Sequence, residues 1–204
     1  MAGESSRPLT KQEADKKREF FLEWRSLEEV RKELEKLRKL VGDHFLDDPH
    51  LKWSKEAKIA LDYGRAHGSR QIRILRDDPP DFEAMSGMGV VERCEVVEVM
   101  KPGRRRGDEL RLERQSPPIE APVPIDNCWI SVEDALQAVD AQIEKKAAKP
   151  YPERFVLVVY VNVGFLEADD GRFLRQLRDR QTRGHPKFER VYFVYRASDV
   201  TALE

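Results

Sequence analysis

The sequence predicts an α/β (α+β) fold: a mixed central β-sheet flanked by helices, with a helical arm in front of it. Three observations carry that expectation. Residues 10–41 repeat apolar side chains at three- and four-residue steps, residues 71–100 hold three strand-like runs, and residues 131–195 alternate helix and strand patterns. Consecutive strands joined by tight turns form an antiparallel meander, whereas strands separated by helices return in parallel. At 204 residues the chain can bury one core plus an accessory element. The expected division is an arm over 1–48 and a core over 49–204.

The arm comes first. Phe20, Trp24, Leu27, Val30, Leu34, Leu37 and Val41 form its apolar stripe, and Gly42 ends it. Leu27 to Val41 is a two-heptad seam, interrupted upstream by Glu23. Two heptads are short for a free coiled coil, so docking on the core is expected, with a homodimer or a protein partner held through the arm as the alternative. Asp43, Asp47 and Asp48 read as a turn. Ser54 is the expected N-cap of a second helix running through Ile59, Leu61 and Tyr63 to His67-Gly68.

Gln71 to Leu75 alternates as a strand, and Asp77-Asp78-Pro79-Pro80 makes a rigid turn. Strands are expected over 81–85 and 90–100, joined by Ser86-Gly87-Met88-Gly89. A basic segment, Lys101 to Arg114, and a proline-rich stretch, Ser116 to Pro124, follow. Ser131 then caps a helix whose apolar face is Val132, Ala135, Leu136, Val139 and Ile143. Phe155 to Val163 is the most apolar run, a buried central strand. Phe173, Leu174 and Leu177 mark a further helix, and Phe188 to Tyr195 a closing strand.

Composition narrows the function. Charged residues make up 37% of the chain, but 37 Lys and Arg balance 38 Asp and Glu, so no global basic field draws nucleic acid. Local clusters remain: Arg104-Arg105-Arg106, flanked by glycines, could grip phosphates, and Arg172, Arg175, Arg178, Arg180 and Arg183 fall on or after the last helix. Either set is also what a solvated exterior would carry. The four His show no ligand spacing, and there is no Walker loop, dinucleotide turn or nucleophile elbow. Cys94 reads as a buried thiol. No apolar run reaches membrane-spanning length and Met1 to Pro8 lacks a signal core, so no membrane contact and a cytoplasmic location are expected.

The chemistry concentrates in Pro80-Asp81 and in Cys94-Glu95-Val96-Val97-Glu98-Val99. A carboxylate inside a Val-rich strand is costly to bury unless something positive meets it, and a divalent metal is the usual answer. Turn chemistry at Asp81 and a solvent-facing strand edge for Glu95 and Glu98 are the plain alternatives.

These residues, in this element order over about 54–195, resemble the PD-(D/E)XK nuclease superfamily, and the resemblance implies a restriction-endonuclease-like core. Pro80-Asp81 matches the family's Pro-Asp at the second core strand, and Glu95 its acid on the third. Where the family carries Lys, this chain has Val97; were Glu98 the strand acid, Met100 would stand there. The resemblance implies that Asp81 and the strand acid hold Mg²⁺ (or Mn²⁺), which polarises a phosphate and activates water, with Glu56 as an additional helix-borne ligand. Lys101 is the nearest cation in sequence to replace the missing Lys.

Register decides which acid faces Asp81. A symmetric turn over 86–89 sets Asp81 opposite Cys94 and on the face of Glu98; an odd-length loop or bulge brings Glu95 to it. The spacing of the family favours Glu95. Two functions follow: a Mg-dependent nuclease hydrolysing nucleic-acid phosphodiesters, or a catalytically inactive nuclease-fold protein that binds nucleic acid or protein.

Overall fold

A computed structural model describes residues 7–42, 45, 48–76, 79–101, 130–163, 167–195 and 198–199. Helices α1 (Lys11–Leu22), α2 (Leu27–Val41), α3 (Lys52–Ala66), α4 (Val132–Ala147) and α5 (Glu167–Arg183) pack on strands β1 (Arg25–Ser26), β2 (Ser69–Ile74), β3 (Phe82–Ser86), β4 (Val91–Met100), β5 (Val156–Asn162), β6 (Arg190–Tyr195) and β7 (Ser198–Asp199). The seven strands form one sheet in chain order. From β1 to β4 every pairing is antiparallel, β4–β5 and β5–β6 are parallel, and β7 returns antiparallel. The expected mixed sheet and meander are present.

The arm differs from its expectation. It is two helices, each opened by a capping box: Thr10 with Glu13 for α1, and Ser26 with Glu29 for α2. The interruption at Glu23 is therefore a change of element, and Arg25–Ser26 pairs with β2 as an edge strand. Gly42 ends α2 as expected, at φ 58°. The second helix also starts earlier than expected, at Lys52 after a 3₁₀ turn over Pro49–Leu51. Ser54 is buried inside it rather than capping it.

Two apolar cores sandwich the sheet. Val30, Leu34, Leu37 and Val41 of α2 join Phe21 of α1, Trp53, Ile59 and Tyr63 of α3, and Ile72, Ile74, Phe82 and Cys94 of the sheet. On the other face α4 and α5 supply Val139, Ile143, Phe173 and Leu177 against Val97, Val99, Leu157, Val159 and Phe193. The arm stripe is thus consumed in the first core, as docking requires. Its Val30, Leu34, Leu37 and Val41 side chains belong to the core shared with α3 and the sheet. β5, enclosed by two parallel neighbours, has its apolar residues 0–2% exposed, the central strand that its composition predicts.

Candidate functional site

The β3–β4 connection decides the register. Met85 pairs with Val91, so the loop is Ser86–Val90, odd in length, and Phe82 faces Cys94. Both of those side chains enter the α1–α3 core. Their neighbours point the other way: Glu83 meets Arg93 across the strands at 3.3 Å and Arg73 of β2 at 2.7 Å. By the same alternation Glu95 lies on the α4–α5 face and Glu98 on the α1–α3 face.

Asp81 is fixed on every side. Its amide donates to Cys94 O at 3.0 Å, and its carbonyl accepts from Leu75 N at 2.9 Å. Its carboxylate Oδ2 accepts the Val96 amide at 2.6 Å, where a ladder bond would otherwise fall. The side chain is thereby held against the peptide that follows Glu95.

Glu95 is fully buried. Lys146, in the last turn of α4, forms an ion pair with its Oε1, and the Tyr151 hydroxyl donates to the same oxygen at 3.1 Å. Tyr151 is in turn seated on Phe155, ring centroids 5.4 Å apart. Oε2, equally buried, has no hydrogen-bond partner among the described residues. A carboxylate withdrawn from water this far requires a cation, and Lys146 supplies one charge to one oxygen.

The other expected site residues are elsewhere. Glu98 takes Lys55 of α3 as its ion pair and the Asn162 Nδ2 donor at 3.0 Å, on the opposite face of the sheet from Glu95. Glu56 lines a cleft beside Lys11 and Asp15 of α1, also on the α1–α3 side, and is not a third ligand at Glu95. Lys101 lies six residues beyond Glu95 along β4, roughly 20 Å of strand away. The cation at Glu95 is Lys146 and not Lys101. Arg104, Arg105 and Arg106 lie outside the described residues. Arg172 and Arg180 of α5 are engaged by Glu133 and by Asp140 (2.9 Å) of α4, so these two tie helices together.

Sequence reasoning missed Lys146 and Tyr151. Periodicity puts Lys146 among the basic residues of a helix end, and nothing local says that it turns inward. No group of three His, Cys, Asp or Glu side chains gathers among the described residues. Mg²⁺ commonly takes one or two carboxylates from protein and completes its shell with water and phosphate oxygens. Glu95 Oε2 is the one oxygen of the acidic pair that is buried with no hydrogen-bond partner among the described residues, while Asp81 Oδ2 is held on the Val96 amide. No protein-family model, curated protein or solved structure matches the chain significantly. No described helix is long and apolar enough to cross a membrane.

Proposed function

We propose that the chain is a Mg-dependent nuclease of the PD-(D/E)XK type, with Asp81 and Glu95 as its acidic pair and Lys146 in place of the strand Lys. One observation carries this: the odd-length β3–β4 loop brings Asp81 level with Glu95, on the face where a helix-borne Lys reaches the acid. Asp81 and Glu95 Oε2 would hold the metal, which when bound supplies Lewis acidity to a phosphate oxygen and acidifies a water. Lys146 has two tasks. It stabilises the buried Glu95 charge, and its ammonium would offset negative charge developing on a phosphate held at the metal. Tyr151 and Lys146 both engage Glu95 Oε1, which leaves Oε2 as the oxygen available to a metal.

The same pair supports a second reading. A Glu95 already neutralised by Lys146 and hydrogen-bonded by Tyr151 is also what a catalytically inactive binding scaffold would keep. Calorimetric titration with Mg²⁺ and Mn²⁺ separates the two. Binding to the wild-type chain that is lost in Asp81→Ala and in Glu95→Gln, with Mn²⁺-dependent cleavage of an oligonucleotide lost in Lys146→Met, is the expected result. No metal binding by the wild-type chain in the presence of an oligonucleotide selects the inactive scaffold.

A further inference from the structure

The two faces of the β2–β4 meander are covered unequally. The ladder sets Arg73, Glu83 and Arg93 opposite one another, with Gln71, Met85 and Val91 as the next row on the same face. The reverse face of these strands carries Ile72, Ile74, Phe82, Ala84 and Cys94, each at most 2% exposed in the core formed with α1–α3. Nothing equivalent closes over the first set. The core under α4 and α5 takes side chains from β4, β5 and β6, and none from β2 or β3 among the described residues. Val91 is accordingly 42% exposed, and the side chains of Arg73 and Arg93 are 35% and 43% exposed.

The first row continues past β2. Trp24, immediately before β1, lies under the Arg73 guanidinium, whose Cζ is 4.7 Å from the ring centroid. Glu83, itself buried, holds Arg73 at 2.7 Å and Arg93 at 3.3 Å, so both guanidinium planes are fixed in place. Glu83 and Glu153 also offset their charge, so this face is not an electrostatic funnel. What it offers is planar surface: one indole and two guanidinium groups in a single row. Unpaired bases stack on such groups, whereas a duplex keeps its base faces hidden. The row also adjoins the acidic pair. Arg93 and Glu95 share one face of β4 two residues apart, about 7 Å, at the line where α4 closes over the sheet.

We propose that this open face of the meander is a stacking platform for a single nucleic-acid strand, with Trp24, Arg73 and Arg93 receiving unpaired bases beside Glu95. The assignment rests on the nucleic-acid reading above and narrows its substrate to single strands. Trp24 supplies the aromatic face, the two guanidinium planes extend it across the sheet, and Met85 and Val91 form an apolar margin for the sugars and base edges.

The test is fluorescence anisotropy with a labelled single-stranded oligonucleotide in EDTA, which prevents metal-dependent cleavage, with its duplex form as the comparison. The wild type should bind the single strand saturably and the duplex more weakly. Trp24→Ala should weaken single-strand binding roughly tenfold, the loss of one stacked base. Val91→Asp, which sets a carboxylate on the exposed part of the face, should weaken it as well, and an unchanged Tm in each variant verifies the fold. Because the guanidinium charges are offset, affinity should fall less than about tenfold between about 50 and 200 mM salt. No saturable binding of the single strand, equal binding by wild type and Trp24→Ala, or a preference for the duplex overturns the proposal. Mn²⁺ titration of the wild type reads the acidic pair separately. Metal binding without strand binding overturns the platform alone, whereas strand binding that needs Trp24 in a chain that takes up no metal upholds the platform and overturns the nuclease reading.

Discussion

At Cys94 and Glu95, adjacent residues on one strand face opposite cores and meet opposite chemistry. Burial pushes the Cys94 thiol well above its ordinary range, so it stays protonated and shielded at neutral pH. With Cys128→Ser as background, Cys94 is the sole thiol of the chain, and a disulfide reagent should label it only after denaturant is added. Rapid labelling of the folded variant would contradict the burial. Asp62 of α3, buried beside Lys58 at 2.5 Å, is also shifted upward, with burial the largest cause. A carboxyl whose folded value is raised binds more protons folded than unfolded, so its contribution to stability improves as pH falls through the range just above the ordinary Asp value. Denaturant unfolding of wild type and Asp62→Asn should show this: the wild type gains on the variant between neutral pH and pH 4. A constant difference would exclude Asp62 as the titrating group. Breaking the Glu95–Lys146 pair by Lys146→Ala strands a buried carboxylate and should lower stability by about 3–5 kcal/mol.

At the scale of elements, the helix starts carry separable contributions. Ser26 Oγ accepts the Glu29 amide at 3.3 Å while Glu29 Oε2 accepts the Ser26 amide at 2.9 Å. Ser26→Ala should lower stability by about 1 kcal/mol, read as a reduced denaturant midpoint with an unchanged slope. The helical character of the arm was legible from sequence because its apolar spacing is long and regular, and Ser131, Gly42 and the β5 run were read at the right places, but the break between α1 and α2 was not. What failed was short or non-local. A two-residue strand such as Arg25–Ser26 has no period to detect, and Ser54 has a capping side chain but sits past the turn at which α3 begins. Lys146 reaches Glu95 from 51 positions away. Patterning within a helix cannot announce such a contact, so half of the candidate site was visible as Asp81 and Glu95, and its cation was not.

For the whole molecule, the arm is the piece most easily misjudged. Its charged composition suggests an appendage, yet Phe21, Val30, Leu34, Leu37 and Val41 are each at most 6% exposed in the shared core. Asp48 fastens its start by accepting the Leu9 amide at 3.0 Å. A chain beginning at residue 49 would present that core to water and should show no cooperative thermal transition. A sharp transition near the full-length Tm would establish 49–204 as an autonomous unit. Phe21→Ala, which empties a site packed on Trp53 with centroids 5.1 Å apart, should destabilise by about 3–5 kcal/mol for the same reason.

β4 joins the antiparallel meander on one side to the parallel pair on the other, and this sets an order of assembly. Phe82 reaches Cys94 across 12 residues, whereas Cys94 reaches Val156 across 62. The longer closure costs about 1.5 kcal/mol more in chain entropy. The meander therefore has the kinetic advantage, and β4 serves as the template on which β5 registers. Glu95 would then stand on an open face until α4 docks and brings Lys146 to it. In pulsed hydrogen exchange during refolding, amides of β2 and β3 should gain protection before those of β5 and β6.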